Sequence, residues 1–297
     1  MKKKIVFLAF LIVAIISQVS QVTAQFRENT NVSLFAGGYA AQQNGNNNGY
    51  WYGIYAEYMP IKTANGLNIG FCGVASRVEF KSNNTLNFYN GSSNDFGAGI
   101  AAGKYAEYLS QKYSGYFGAN IMLKSSQDEG LGKSVQQDGQ LGTYTMTQED
   151  LIFSTEVNIN LLKTFGIREN LFPRSQLKLM YQKPLKSEKV SFWNKSLIQE
   201  SMLWNKAALG AEFKQSIYQI GRFNTLIEPK IMVGYRHYTG DNSQWISIGP
   251  EIALKKRGWD DFLSIYFFVK QQVGDYPQNL NSTQFVLGLN FSPFNIR

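Results

Sequence analysis

From Leu151 to Leu161 the chain alternates without a break. Leu151, Phe153, Thr155, Val157, Ile159 and Leu161 share one parity, and the other contains Ser154, Glu156, Asn158 and Asn160. Successive side chains of a β-strand point to opposite faces, so this stretch makes a ribbon with one apolar and one wet face. The pattern recurs. Ala207, Leu209, Ala211 and Phe213 oppose Lys206, Gly210, Glu212 and Lys214, while Leu263, Ile265, Phe267 and Val269 oppose Ser264, Tyr266 and Lys270. Near the end Phe285, Leu287, Leu289 and Phe291 oppose Gln284, Gly288, Asn290 and Ser292. A secreted β-sandwich also alternates, but its strands usually run about 5 or 6 residues. Many segments here keep the pattern for longer, reaching the roughly 9–11 residues that a tilted strand needs to cross a bilayer. The length of the alternation therefore favours a membrane barrel over a soluble fold.

The alternation predicts an all-β, transmembrane, antiparallel up-and-down barrel of about twelve strands. They open near Val32, Tyr50, Leu67, Asp95, Lys112, Glu149, Arg174, Trp204, Thr225, Gln244, Asp261 and Thr283. By these boundaries the odd connections average about 13 residues and the even ones about 6, the asymmetry of external loops against periplasmic turns. The longest run from Ser125 to Gln148 and from Lys183 to Leu203. The latter, with Phe192, Trp193, Leu197, Ile198 and Leu203, is apolar enough to fold inward as a plug or to bind a partner. Thr239 to Ser243 is short for an external loop and Thr164 to Pro173 long for a turn. Aromatics gather near segment ends, at Tyr50, Trp51, Tyr52 and Tyr58 and at Tyr105, Tyr108 and Tyr113, where interfacial girdles belong.

The start of the chain reads as an export signal. Lys2, Lys3 and Lys4 precede an apolar run from Ile5 to Ile16 and a polar stretch ending Val22-Thr23-Ala24. The apolar run is too short for a membrane anchor, which needs about 20 residues, so residues 1–24 are expected to be cleaved and 25–297 to form one domain. Loss of those three lysines lowers the formal charge from +8 to +5. The remaining lysines are scattered among glutamates, which argues against nucleic acid as a partner. Cys72, the one cysteine, cannot form an intrachain disulfide. No Cys/His cluster with ligand spacing and no phosphate-binding glycine motif is present, so no metal or cofactor is expected.

Signal peptide, dyad repeat, loop asymmetry and apolar final strand together resemble the Gram-negative outer-membrane β-barrels over nearly all of residues 25–297. The resemblance implies insertion in the cell outer membrane, with outer-membrane lipid as the surrounding partner and an envelope protein or a small solute as a further one. Many such barrels end on an aromatic residue, whereas this chain ends Phe294-Asn295-Ile296-Arg297.

With the apolar parity facing lipid, the other parity lines the lumen. It carries Glu57, Glu107, Glu156, Glu212, Glu228 and Glu251 together with Lys178, Lys206, Lys214, Lys230, Arg236, Lys255 and Lys270. Both signs are similarly represented, which predicts ion pairs filling a narrow barrel, or a small channel with a polar constriction. Gly97, Gly99 and Gly103 on the same parity are expected to leave room for a loop or a solute. Lys104 falls on the lipid parity, which requires either a position near the periplasmic edge or a bulge. Pro250 interrupts a strand and suggests another bulge.

His237 is the only histidine, and its parity matches Ile231, Val233 and Tyr235. The stretch Gly234-Tyr235-Arg236-His237-Tyr238-Thr239-Gly240-Asp241-Asn242 resembles outer-membrane phospholipase A and, less closely, the lipid A deacylases, in which a serine follows the catalytic histidine by two residues. That resemblance implies a base at His237 and a hydroxyl nucleophile at Thr239, which would share one face. The third, orienting group is missing, because the next strand offers Ile246 and Ile248 outward and Asn242 only from a loop. The composition thus favours a channel or envelope anchor, with a lipid hydrolase as the alternative.

Overall fold

The computed structural model describes residues 30–43, 45–84, 87–107, 114–135, 141–162, 174–189, 207–222, 225–239, 243–256, 261–273 and 283–295. Residues 1–24, Lys206 and the stretch proposed as a plug beyond Lys189 lie outside them. Among the described residues the secondary structure is strand: β1 (Thr30–Gln43), β2 (Gly45–Lys62), β3 (Leu67–Asn84), β4 (Asn87–Glu107), β5 (Ser114–Val135), β6 (Leu141–Leu162), β7 (Arg174–Lys189), β8 (Ala208–Ser216), β9 (Ile220–Arg222), β10 (Thr225–Tyr238), β11 (Ser243–Lys256), β12 (Asp261–Val273) and β13 (Thr283–Asn295).

Every neighbour pair is antiparallel, and the pairing of β1 with β13 closes the sheet on itself. Both β8 and β9 pair with β10, so they are two pieces of one strand and the barrel has twelve staves. The break falls opposite Pro229, whose carbonyl accepts from the Ile217 N–H at 2.9 Å. Closure matters because it removes the sheet edge that a bilayer could not satisfy. The end where β1 begins and β13 ends is periplasmic in the outer-membrane orientation.

Proline explains most of the irregular register. It cannot donate to a ladder, and register shifts occur beside Pro60 in β2, Pro184 in β7 and Pro293 in β13. Pro250 behaves differently from the expected bulge. Register between β11 and β12 is the same on both sides of it, from Ile248↔Val269 to Glu251↔Tyr266, and only the pairing at Gly249 and Pro250 is missing. Lys104 involves no bulge either, since β4 stays in register with both neighbours along its length. It sits on the lipid face three residues from the end of β4.

Several strands begin earlier than the alternation indicates: β4 at Asn87 instead of Asp95, β6 at Leu141 instead of Glu149, β2 at Gly45 instead of Tyr50. The expected long loop from Ser125 to Gln148 is largely a hairpin, because β5 runs on to Val135 and pairs with β6 as far as Leu141. Above the bilayer the outer face of a strand meets water instead of lipid, so the ladder continues after the hydrophobic signal has stopped. The outward face of β5 shows the switch, from Phe117, Ile121 and Leu123 to Ser125, Gln127 and Glu129, all exposed.

Below that switch the outer wall is predominantly apolar. Phe71 is 65 % exposed, and Phe96, Ile100, Leu209, Ile248, Ile252, Ile265 and Leu287 are all more than half exposed. An apolar surface running round the molecule has no place in water and is the surface a bilayer requires. Tyr50, Tyr52 and Tyr58 are on this face, with the first two stacked at 6.4 Å. Trp51, expected in the same girdle, points inward, where it covers Gly37 directly opposite it on β1. Phe35 covers Gly53, Tyr39 covers Gly49 and Tyr266 covers Gly288 in the same manner, each ring resting where a Cβ would collide with it.

Candidate functional site in the lumen

The inward parity brings together most of the charges picked out from sequence. Glu228 on β10 is the centre of one group. Its carboxylate receives Arg174 Nη2 at 3.2 Å from β7 and Lys255 Nζ at 2.5 Å from β11, together with the Ser216 hydroxyl from β8. Lys230 lies 3.7 Å from Glu228 and 3.6 Å from Glu251, and Lys214 completes the chain at 2.6 Å from Glu251. Lys178 pairs with Glu156 at 2.6 Å, and Lys214 also reaches Glu212 at 3.4 Å. On the other wall Glu57 accepts from Tyr55 and, at 3.4 Å, from Asn31, while Tyr55 receives the Asn120 amide at 3.0 Å. Glu107 is the last residue of β4, opposite Ser114, and its side chain lies outside the described structure.

Burial divides the lumen into two levels. Near the periplasmic end the side chains of Arg174, Glu228, Lys230 and Glu251 are 2 % exposed or less. The opposing inner wall is buried as well, through Glu57 and Met59 on β2, Cys72 on β3, Ala101 on β4 and Asn120 and Met122 on β5. Ser264 on β12 and Ser292 on β13 continue the layer, the latter hydrogen-bonded to Ser33 of β1 at 2.8 Å. Higher up, the Glu156, Lys178, Glu212 and Lys214 side chains are 23 to 37 % exposed and line a chamber. Arg236 and Lys270 line it too. The expected room beside Gly97 and Gly99 is taken up: a Cβ on Gly97 would meet the Lys124 stem, and one on Gly99 the backbone of β5.

Sequence reading missed Arg174, Lys124, Tyr238 and Trp245 as lumen residues. Arg174 and Lys124 have the parity of Lys178 and Asn120, so extending each alternation by one strand turn would have found them. His237 is on the outer face, opposite Leu209 and Gln244. Gln244 is an amide directly opposite it on the facing strand. The Thr239 hydroxyl donates to the Ala207 carbonyl at 3.5 Å. Among the described residues no group of three or more His, Cys, Asp or Glu side chains is placed to hold a metal ion.

No protein-family model matches the chain, and no curated protein matches its sequence. Its fold is similar to solved outer-membrane barrels. The β domain of the Bordetella autotransporter Brka superposes with a TM-score of 0.55 at 10 % identity, over 89 % of this chain and 99 % of that one. The translocator domain of autotransporter NalP from Neisseria meningitidis gives 0.49 at 9 % identity over 97 % of both chains. The transport unit of autotransporter AIDA-I from Escherichia coli gives 0.48 at 11 % identity, covering 89 % of this chain and 90 % of that one. At such identities the likeness concerns the fold. Together with the apolar outer wall, it shows that the chain has the fold of an outer-membrane β-barrel.

Proposed function

We propose that the barrel serves as a membrane anchor or assembly component of the cell envelope, with a lumen closed at its periplasmic end instead of open as a solute channel. The observation that carries this reading is the buried layer linking Arg174, Glu228, Lys230 and Glu251, matched by buried side chains on the opposing wall. Charges that line a conducting path stay hydrated, whereas these have exchanged water for one another.

Conductance tests the proposal directly. Purified barrel inserted in planar bilayers is expected to remain silent at all voltages, with insertion verified by the altered gel mobility of the folded form. The double variant Arg174→Ala, Lys230→Ala should conduct in discrete steps under the same conditions. Stepwise conductance from the wild type would overturn the closed-barrel reading.

A further inference from the structure

The luminal charges are not all compensated alike. Each cation in the periplasmic layer has a carboxylate within 4 Å, as do Lys178 and Lys214 in the chamber. Among the described residues, Lys124, Arg236 and Lys270 have no carboxylate within that distance; Asp95 is the leading negative charge near Lys124. Neutral groups position them instead. The Lys124 stem lies over Gly97, Arg236 Nη2 is 2.8 Å from the Met180 sulfur, and Lys270 Nζ sits 4.5 Å above the Trp245 ring and 5.6 Å from that of Tyr238, whose hydroxyl accepts from both Arg236 and Lys270. Rings and a thioether hold a cation in place without cancelling its charge. Nearby carboxylates are engaged elsewhere: Glu156 by Lys178, Glu212 by Lys214. Asp95 accepts from Ser93, while Asp128 and Asp150 are buried among partners of their own on β5 and β6. All three cations are half-buried and therefore in contact with the lumen.

The geometry points to an anion-binding chamber in the barrel, in which Lys124, Arg236 and Lys270 take a small, multiply charged phosphate or carboxylate solute. Three fixed positive charges around a common space, none of them held in an ion pair among the described residues while the neighbouring carboxylates serve other cations, leave counter-charge to be supplied by the ligand. This does not depend on the lumen being closed. In a conducting barrel the same three residues would form an anion-selective constriction.

Calorimetric titration of the folded barrel in an uncharged detergent separates the outcomes. Inorganic pyrophosphate and glucuronate represent the phosphate and carboxylate sources, and spermidine is the oppositely charged probe. At least one anion is expected to bind, more weakly as salt rises, and spermidine is not. The triple variant Lys124→Met, Arg236→Met, Lys270→Met should lose at least tenfold in affinity. Arg236→Lys with Lys270→Arg should keep binding, which separates a charge effect from a folding defect, and Lys104→Met on the lipid face should change nothing. No anion binding by the wild type, equal affinity in the triple variant, or equal binding of spermidine would each overturn the proposal.

Discussion

Glu228 shows what a single buried charge does in this molecule. Its carboxylate is the shared counter-charge of Arg174, Lys230 and Lys255, and its side chain is fully buried. Removing one partner of such a group leaves the others desolvated and unpaired, which costs about 3–5 kcal/mol. Glu228→Ala should therefore lower the unfolding free energy by that amount in urea titrations. Glu79→Ala removes the partner of Arg77 on the outer face, a pair open to solvent, and should cost under about 1 kcal/mol. Equal effects from the two would contradict the buried layer. At this scale the sequence revealed which side chains face inward but not which ones meet. Parity places Glu228 and Lys214 in the lumen, whereas the contact of Arg174 with Glu228 spans 54 residues of chain and passes over β8. Only the register and curvature of the closed sheet create it.

Strands were legible wherever the bilayer writes on them. β3, β7, β10, β12 and β13 begin at the residues that the alternation indicated, because there the chain enters the apolar zone directly. β4 and β6 were read as starting too late, since Asn87–Asp95 and Leu141–Gln148 lie beyond the apolar band and their outward positions are not obliged to be apolar. The glycine and aromatic pairs were invisible for another reason: Gly37 and Trp51 become partners only once β1 and β2 are in register. That pairing yields a test at the level of the hairpin. A side chain at Gly37 would collide with the Trp51 ring and the β13 backbone, and overpacking of this kind typically costs about 1–3 kcal/mol. Gly37→Val should reduce the folded fraction after refolding into micelles, as read by gel mobility. Ala36→Val, next door on the lipid face, should leave it unchanged. If both variants refold alike, the rings are not packing elements.

As a whole the molecule is one ring of hydrogen-bonded strands with no free edge, an arrangement it shares in outline with autotransporter β domains at 10 % identity. Its outer wall fixes more than the choice of solvent. On β4 the lipid-facing positions Phe96, Ala98, Ile100 and Ala102 are bounded by Asn94, which accepts from Arg77 at 2.9 Å, and by Lys104. Ten residue steps separate those two polar markers. At about 3.3 Å per residue and a tilt near 40°, they stand roughly 25 Å apart along the membrane normal. The barrel is thereby a gauge of membrane thickness. It should fold fastest into synthetic bilayers with a hydrocarbon core of about 25 Å and more slowly as the core thickens. Lys104→Leu removes the lower mark and should shift that optimum towards thicker bilayers. An unshifted optimum would mean that another part of the wall sets the depth. If the optimum does shift, one lysine settles which membranes this protein can enter.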